Sequence, residues 1–179
     1  MKHFNHTWMV LSLCLAMLGC KSQDQQSSKG KTYSKKELQD YNKVMARKEA
    51  EQVKSFVAEK KWPCAETGTG LHFWIYQKGK GAMALPGQYV EVNLVISFLS
   101  GDTAYSYTRY GSEMFQIDRT NKESGLNEGV QLMSKGAKAK LVVPSHLAHG
   151  LVGDAKRIPP RTPLVFDVEV INIYDQRPY

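Results

Sequence analysis

From Leu164 to Tyr174 apolar and polar positions alternate with a period of two. Phe166, Val168 and Val170 fall on one side, and Val165, Asp167, Glu169 and Ile171 on the other. Successive side chains of a strand point to opposite faces, so the pattern predicts a β-strand with one face in a core. Tyr89 to Phe98 repeats the alternation more loosely, and Leu71 to Tyr76 does so with bulky residues on both faces. Ser100-Gly101-Asp102 reads as a turn into a short return strand, Thr103 to Tyr107, and Met114 to Ile117 as another short strand. Ala137 to Val143 completes the set, cut off by Pro144. Leu126 to Ser134 is the only helix predicted beyond residue 63. Leu126, Val130 and Met133 lie on one side of it, and Gly136 is placed to be the left-handed residue that closes it. Mostly antiparallel strands with one packing helix predict an α+β domain.

A longer helix is predicted upstream. Ser34 and Glu37 have capping-box spacing, and Trp62-Pro63 ends the segment. Leu38, Tyr41, Met45, Val53, Phe56 and Val57 share a face that Glu49 and Gln52 interrupt. A helix docked at both ends and solvated between them is therefore expected. Residues 20–33 are rich in Ser, Gln, Lys and Gly and read as a tether without a core. Before them, Lys2 precedes the apolar run Trp8 to Leu18, which stops at Gly19-Cys20. The run has the length of a secretory signal and is similar to a bacterial lipoprotein signal of residues 1–19, with Cys20 as the acylated residue. An ordinary signal with a chance cysteine is the alternative. The expected organisation is thus signal 1–19, tether 20–33, amphipathic basic helix 34–62 and globular domain 63–179. The expected location is the bacterial cell envelope, on a lipid anchor in the outer membrane.

Cysteine and charge narrow the function classes. With Cys14 lost and Cys20 acylated, Cys64 remains alone, so no intrachain disulfide forms and a packed or partly exposed thiol is expected. The formal net charge of +7 is uneven. Residues 20–62 hold eleven Lys/Arg against six Asp/Glu, giving +5, whereas residues 63–179 hold twelve against eleven, giving +1. The globular part is therefore not expected to bind nucleic acid. The basic helix fits either anionic headgroups and acidic partners or an ordinary solvated face. His146 and His149, with His72, are too weakly grouped to predict a metal site, and no metal or cofactor is expected.

About twenty residues between Pro144 and Pro163 have no periodicity, yet Leu147, Leu151, Val152 and Ile158 are too apolar for a floppy segment. An ordered loop of that length inside a compact domain is a candidate binding flap.

Specific motifs surround this flap. Gly87-Gln88-Tyr89-Val90-Glu91-Val92 and Gly101-Asp102-Thr103 make a strand and turn. Gly125-Leu126-Asn127-Glu128-Gly129 is a helix entry, and Pro144-Ser145-His146-Leu147-Ala148-His149-Gly150 opens the flap. Ile158-Pro159-Pro160 and Leu164-Val165-Phe166-Asp167-Val168-Glu169 close it. Over residues 87–174 these stretches resemble FKBP-type peptidyl-prolyl cis-trans isomerases, whose FKBP-like fold is an antiparallel sheet packed on one short helix. With the lipoprotein-type signal and basic helix, the whole chain looks like the isomerase-like lipoproteins associated with gliding motility in some bacteria.

The resemblance implies a proline-binding pocket. Its catalytic candidates are Tyr105, His149, Ile158 with its backbone N–H, and Phe166 on the floor. Its substrate-binding candidates are Leu94, Ala104, Phe115, Leu126 and Leu147. Leu94, Ala104, Tyr105, Leu126 and His149 stand where the family has Tyr, Phe, Asp, Trp and Tyr, and Lys122-Glu123 where it has Val-Ile. Tyr105 is expected as a hydrogen-bond donor rather than a general acid, since a phenol titrates near pH 10. Rotation about an X-Pro amide faces a barrier of about 18–20 kcal/mol, and a dry pocket disfavours its charge-separated planar form without any nucleophile. The resemblance implies a monomer acting on proline-containing polypeptides in envelope protein folding. A non-catalytic binding module that assists assembly of an envelope complex is the alternative.

Overall fold

The structure, a computed structural model, describes residues 33–178. The expected signal, Cys20 and the tether up to residue 32 lie outside the described residues.

A 26-residue helix, α1 (Lys35–Lys60), comes first and gives way at Lys61, which sits in the left-handed region at φ 55° ahead of Trp62-Pro63. The chain continues through β1 (Ala65–Glu66), β2 (His72–Gln77), β3 (Lys80–Met83) and the ten-residue β4 (Tyr89–Phe98). Next come β5 (Thr103–Ser106), a single helical turn α2 (Tyr107–Tyr110) and β6 (Glu113–Gln116). Helix α3 (Ser124–Gln131), β7 (Ser134–Lys135) and β8 (Lys138–Val143) follow. A 3-10 turn (Ser145–Leu147) opens the flap, and β9 (Leu164–Tyr174) ends the fold.

Seven strands form one antiparallel sheet in the order β1-β2-β8-β9-β4-β5, with β6 also paired to β4, while β3 and β7 make a separate ribbon. β4 pairs with β9 along its whole length, from Tyr89↔Tyr174 to Phe98↔Leu164. Its other edge is divided. Tyr89 to Val92 pair with β6, and Val95 to Ser97 pair with β5. Asn93 and Leu94 fall between these two partners, and α2 is the connection from one to the other.

The period of two puts Leu141 of β8 and Phe166, Val168 and Val170 of β9 on one face, where they join Leu126 and Val130 of α3 in the main core. Gly129 makes this packing possible, because a methyl group there would overlap Leu141. The opposite face carries Val142 and Val165, which pack against Val53 and Phe56 of α1, with Trp62 and Leu99 at the margin. The sheet is thus covered by α3 on one side and by α1 on the other.

Several elements depart from the expectations. The helix predicted over 126–134 is α3, which starts at Ser124 and stops at Gln131. Gly136 is left-handed at φ 79°, but it turns the chain between β7 and β8 and donates its N–H to Val170 O at 2.7 Å. α2 is a second helical turn in this domain. Ser106 caps it by accepting the Thr108 N–H at 3.3 Å, a local bond that releases the chain from β5 before Tyr107. Helix α1 also docks differently. Its N-terminal apolar residues Leu38, Tyr41 and Val44 are exposed, whereas Glu49 at its middle is half-buried and accepts from Ser145. The carboxylate makes a polar contact that an apolar residue there could not.

Candidate active-site cleft

A cavity of about 390 Å³ opens where β5 and β6 part along β4. The buried side chains of Leu94 and Ile96, on the core face of β4, line it. Tyr105 comes from β5, and Tyr107 and Tyr110 from α2. The Tyr105 and Tyr110 rings lie 5.9 Å apart at 55°, and the Arg157 guanidinium sits 5.6 Å from the centre of the Tyr105 ring. Glu113, Lys122, Glu123, His149, Asp154 and Lys156 complete the polar side.

The flap is fastened to the sheet by Asp154. Its Oδ1 accepts the backbone N–H groups of Lys156 at 2.9 Å, Arg157 at 2.9 Å and Ile158 at 2.8 Å, a closed turn that aspartate makes readily. Tyr105 donates its hydroxyl to Oδ2 of the same carboxylate. Arg157 adds a bond from Nη1 to Ala104 O at 2.9 Å. Burial acts to raise the Asp154 pKa, but the hydrogen bonds from Tyr105, Ile158, Lys156 and Arg157 outweigh it and hold the carboxyl well below the usual carboxylate range. The same bond to Asp154, with burial, pushes the Tyr105 phenol above its ordinary value.

On the facing wall Lys122 is paired with Glu113. His149 Nε2 lies 3.3 Å from Glu123 Oε1 without hydrogen-bond alignment. His149 Nε2 and Glu123 Oε2 are buried and have no hydrogen-bond partner.

Residues 81–171 match the family model of the FKBP-type peptidyl-prolyl cis-trans isomerase. The chain belongs to this family. It is 36% identical over 108 residues to the isomerase FkpA of Escherichia coli, an alignment that takes in 60% of this chain and 39% of FkpA. It is 38% identical over 92 residues to the isomerase FPR2 of Saccharomyces cerevisiae, across 50% of this chain and 68% of that protein. The crystal structure of E. coli FkpA aligns with a TM-score of 0.64 at 31% identity, covering 78% of this chain and 63% of the other. A Pseudomonas syringae peptidyl-prolyl cis-trans isomerase aligns at 0.61 and 30% identity, covering 72% and 96%. The chain thus spans about two fifths of the length of FkpA and nearly all of the P. syringae structure.

Of the pocket positions that the family resemblance supplied, the cavity is lined by Leu94, Tyr105 and His149. Ala104, Phe115, Leu126, Leu147, Ile158 and Phe166 are buried in the same core as Leu94 and Ile96 without lining the cavity. The Ile158 N–H, expected to face substrate, is given to Asp154. Tyr105 is a donor as expected, but its acceptor is the flap. The aromatic residues that the family positions lack are partly made up by Tyr107 and Tyr110. Sequence reading missed these because the alignment is loose between Tyr107 and Met114. Asp154 was also missed; its signal was an aspartate after Gly153, in a loop that must satisfy its own N–H groups.

The other histidines have separate partners. His72 is buried beside Gly70 O at 3.2 Å, and His146 is exposed with Nε2 3.1 Å from Thr69 O. Cys64 is half-buried, and burial pushes its thiol above the ordinary value, which suits packing rather than nucleophilic work.

Proposed function

We propose that this chain is a peptidyl-prolyl cis-trans isomerase acting on proline-containing polypeptides of the bacterial envelope, held there by lipid on Cys20. The observation that carries the catalytic reading is the apolar floor of Leu94 and Ile96 between the tyrosines of β5 and α2 and the fastened flap. An X-Pro amide laid on that floor loses water from its carbonyl oxygen and nitrogen. The planar, charge-separated form then loses stabilisation relative to the twisted one, and rotation is eased. The step needs no proton transfer and no covalent intermediate. The lipid anchor rests on the run of residues 8–18 ending at Gly19-Cys20.

One observation favours a second reading, a binding module that holds prolyl segments without turning them over. Asp154 already occupies both the Ile158 N–H and the Tyr105 hydroxyl, which leaves the flap with fewer donors for a substrate carbonyl. NMR exchange spectroscopy on X-Pro peptides with the full chain separates the two. Accelerated cis–trans exchange supports the isomerase. Peptide shifts that perturb Leu94 and Tyr105 without acceleration support the binding module.

A further inference from the structure

Among the described residues, Glu123 Oε2 and His149 Nε2 are the buried side-chain polar atoms left without a hydrogen-bond partner, and both residues line the cleft. Such atoms cost free energy and are uncommon in native structures, so a ligand group that satisfies them gains more than usual. The other cleft charges are differently placed. Glu113 is paired with Lys122, and Asp154 holds three backbone N–H groups and the Tyr105 hydroxyl. Lys156 is exposed and screened by solvent. Glu123 keeps one oxygen in contact with His149 at 3.3 Å and leaves the second free.

We infer that Glu123, which lies beside His149, selects clients that carry Lys or Arg beside the proline. This rests on the cleft being the X-Pro site. A shielded carboxylate oxygen forms its strongest bond with a donor that is itself charged, and an arginine guanidinium offers donors in a fork that a carboxylate accepts well. A neutral donor satisfies the oxygen less strongly, and an acidic neighbour of proline meets like charge. The isoleucine that the family resemblance places at the Glu123 position has no such preference to offer, so Glu123 gives this cleft a selectivity of its own.

The test uses the full chain and four peptides that differ only at the residue before proline: Arg, Lys, Leu and Glu. Kd comes from NMR titration and kcat/KM from exchange. Arg and Lys should exceed Leu by about tenfold, with Glu weakest, because a charged hydrogen bond outweighs a neutral one by about that factor. In Glu123→Gln, which keeps the shape and removes the charge, the Arg-to-Leu ratio should fall to within about twofold. An unchanged ratio in that variant, or no basic preference in the wild type, overturns the assignment. If the variant loses its folded circular-dichroism spectrum, the wild-type series decides alone. Turnover of all four peptides at similar rates overturns this inference and leaves the isomerase reading standing. Silence of all four in both measurements overturns both.

Discussion

The carboxylate of Glu49 in α1 accepts the backbone N–H of Ser145 at 2.5 Å and its hydroxyl at 2.7 Å, across 96 residues of chain. The bond caps the 3-10 turn that opens the flap. At the flap's far end Arg161 donates to Asn42 Oδ1 at 2.6 Å and lies over the Tyr41 ring. Both ends of the flap are therefore tied to a helix that precedes the family-matched residues.

Glu49→Ala should leave the buried Ser145 N–H and hydroxyl unpaired and cost about 1–3 kcal/mol in denaturant unfolding. The same change should raise KM for an X-Pro peptide more than it lowers kcat, since the cleft floor on β4 is untouched. Stability within about 0.3 kcal/mol of wild type would mean that the tie contributes nothing.

Asp154 gives the fold a pH dependence of definite sign. Its folded pKa lies below the ordinary value of about 3.8, so the unfolded chain binds the proton first as pH falls. The stabilisation is fully present above the unfolded pKa and is lost as pH drops from about 4 through the folded value. Asp154→Asn should flatten this part of the acid-unfolding curve. Asp154→Ala should also free the Ile158 amide, which hydrogen exchange would register as lost protection. Unchanged Ile158 exchange would refute the flap geometry.

Core volume yields opposite changes with the same outcome. Phe166 is fully buried, so Phe166→Ala should cost about 3–5 kcal/mol. Leu126 is equally buried, and restoring the family's tryptophan with Leu126→Trp should overpack α3 against the sheet and cost about 1–3 kcal/mol. Chemical denaturation of both variants checks this, and a stabilised Leu126→Trp would show that the ring finds the cleft instead.

Anchoring is tested at Cys20. Metabolic palmitate labelling should be lost in Cys20→Ala, and the variant should leave the membrane fraction. Labelling unaffected by the change would place any acyl group elsewhere.

The long alternating strands were legible because one buried face fixes their register; β4 and β9 have the bounds that the pattern drew. α3 was legible from Leu126, Val130 and Met133, although its end was not, since the chain turns into β7 for a ribbon partner that lies far away in sequence. β3 and β7 escaped notice because Lys80–Met83 is exposed throughout and carries no hydrophobic period. The cleft was only partly legible. Leu94, Tyr105 and His149 could be placed from the motifs, but whether Leu126 or Phe166 faces a cavity or a core depends on backbone positions that no motif specifies. Tyr110 reaches the wall only because Ser106 starts a helical turn where an extended strand was expected.

The division of β4's outer edge has a consequence beyond the cleft. β5 and β6 are four residues each, and at the opposite end of the sheet β1 covers His72 and Phe73 of β2, which leaves only Trp74 to Gln77 of β2 as the rest of that border. Neither border offers the long, flat row of free N–H and C=O groups on which another chain can add as a strand. Short, interrupted borders of this kind disfavour polymerisation through edge-to-edge pairing.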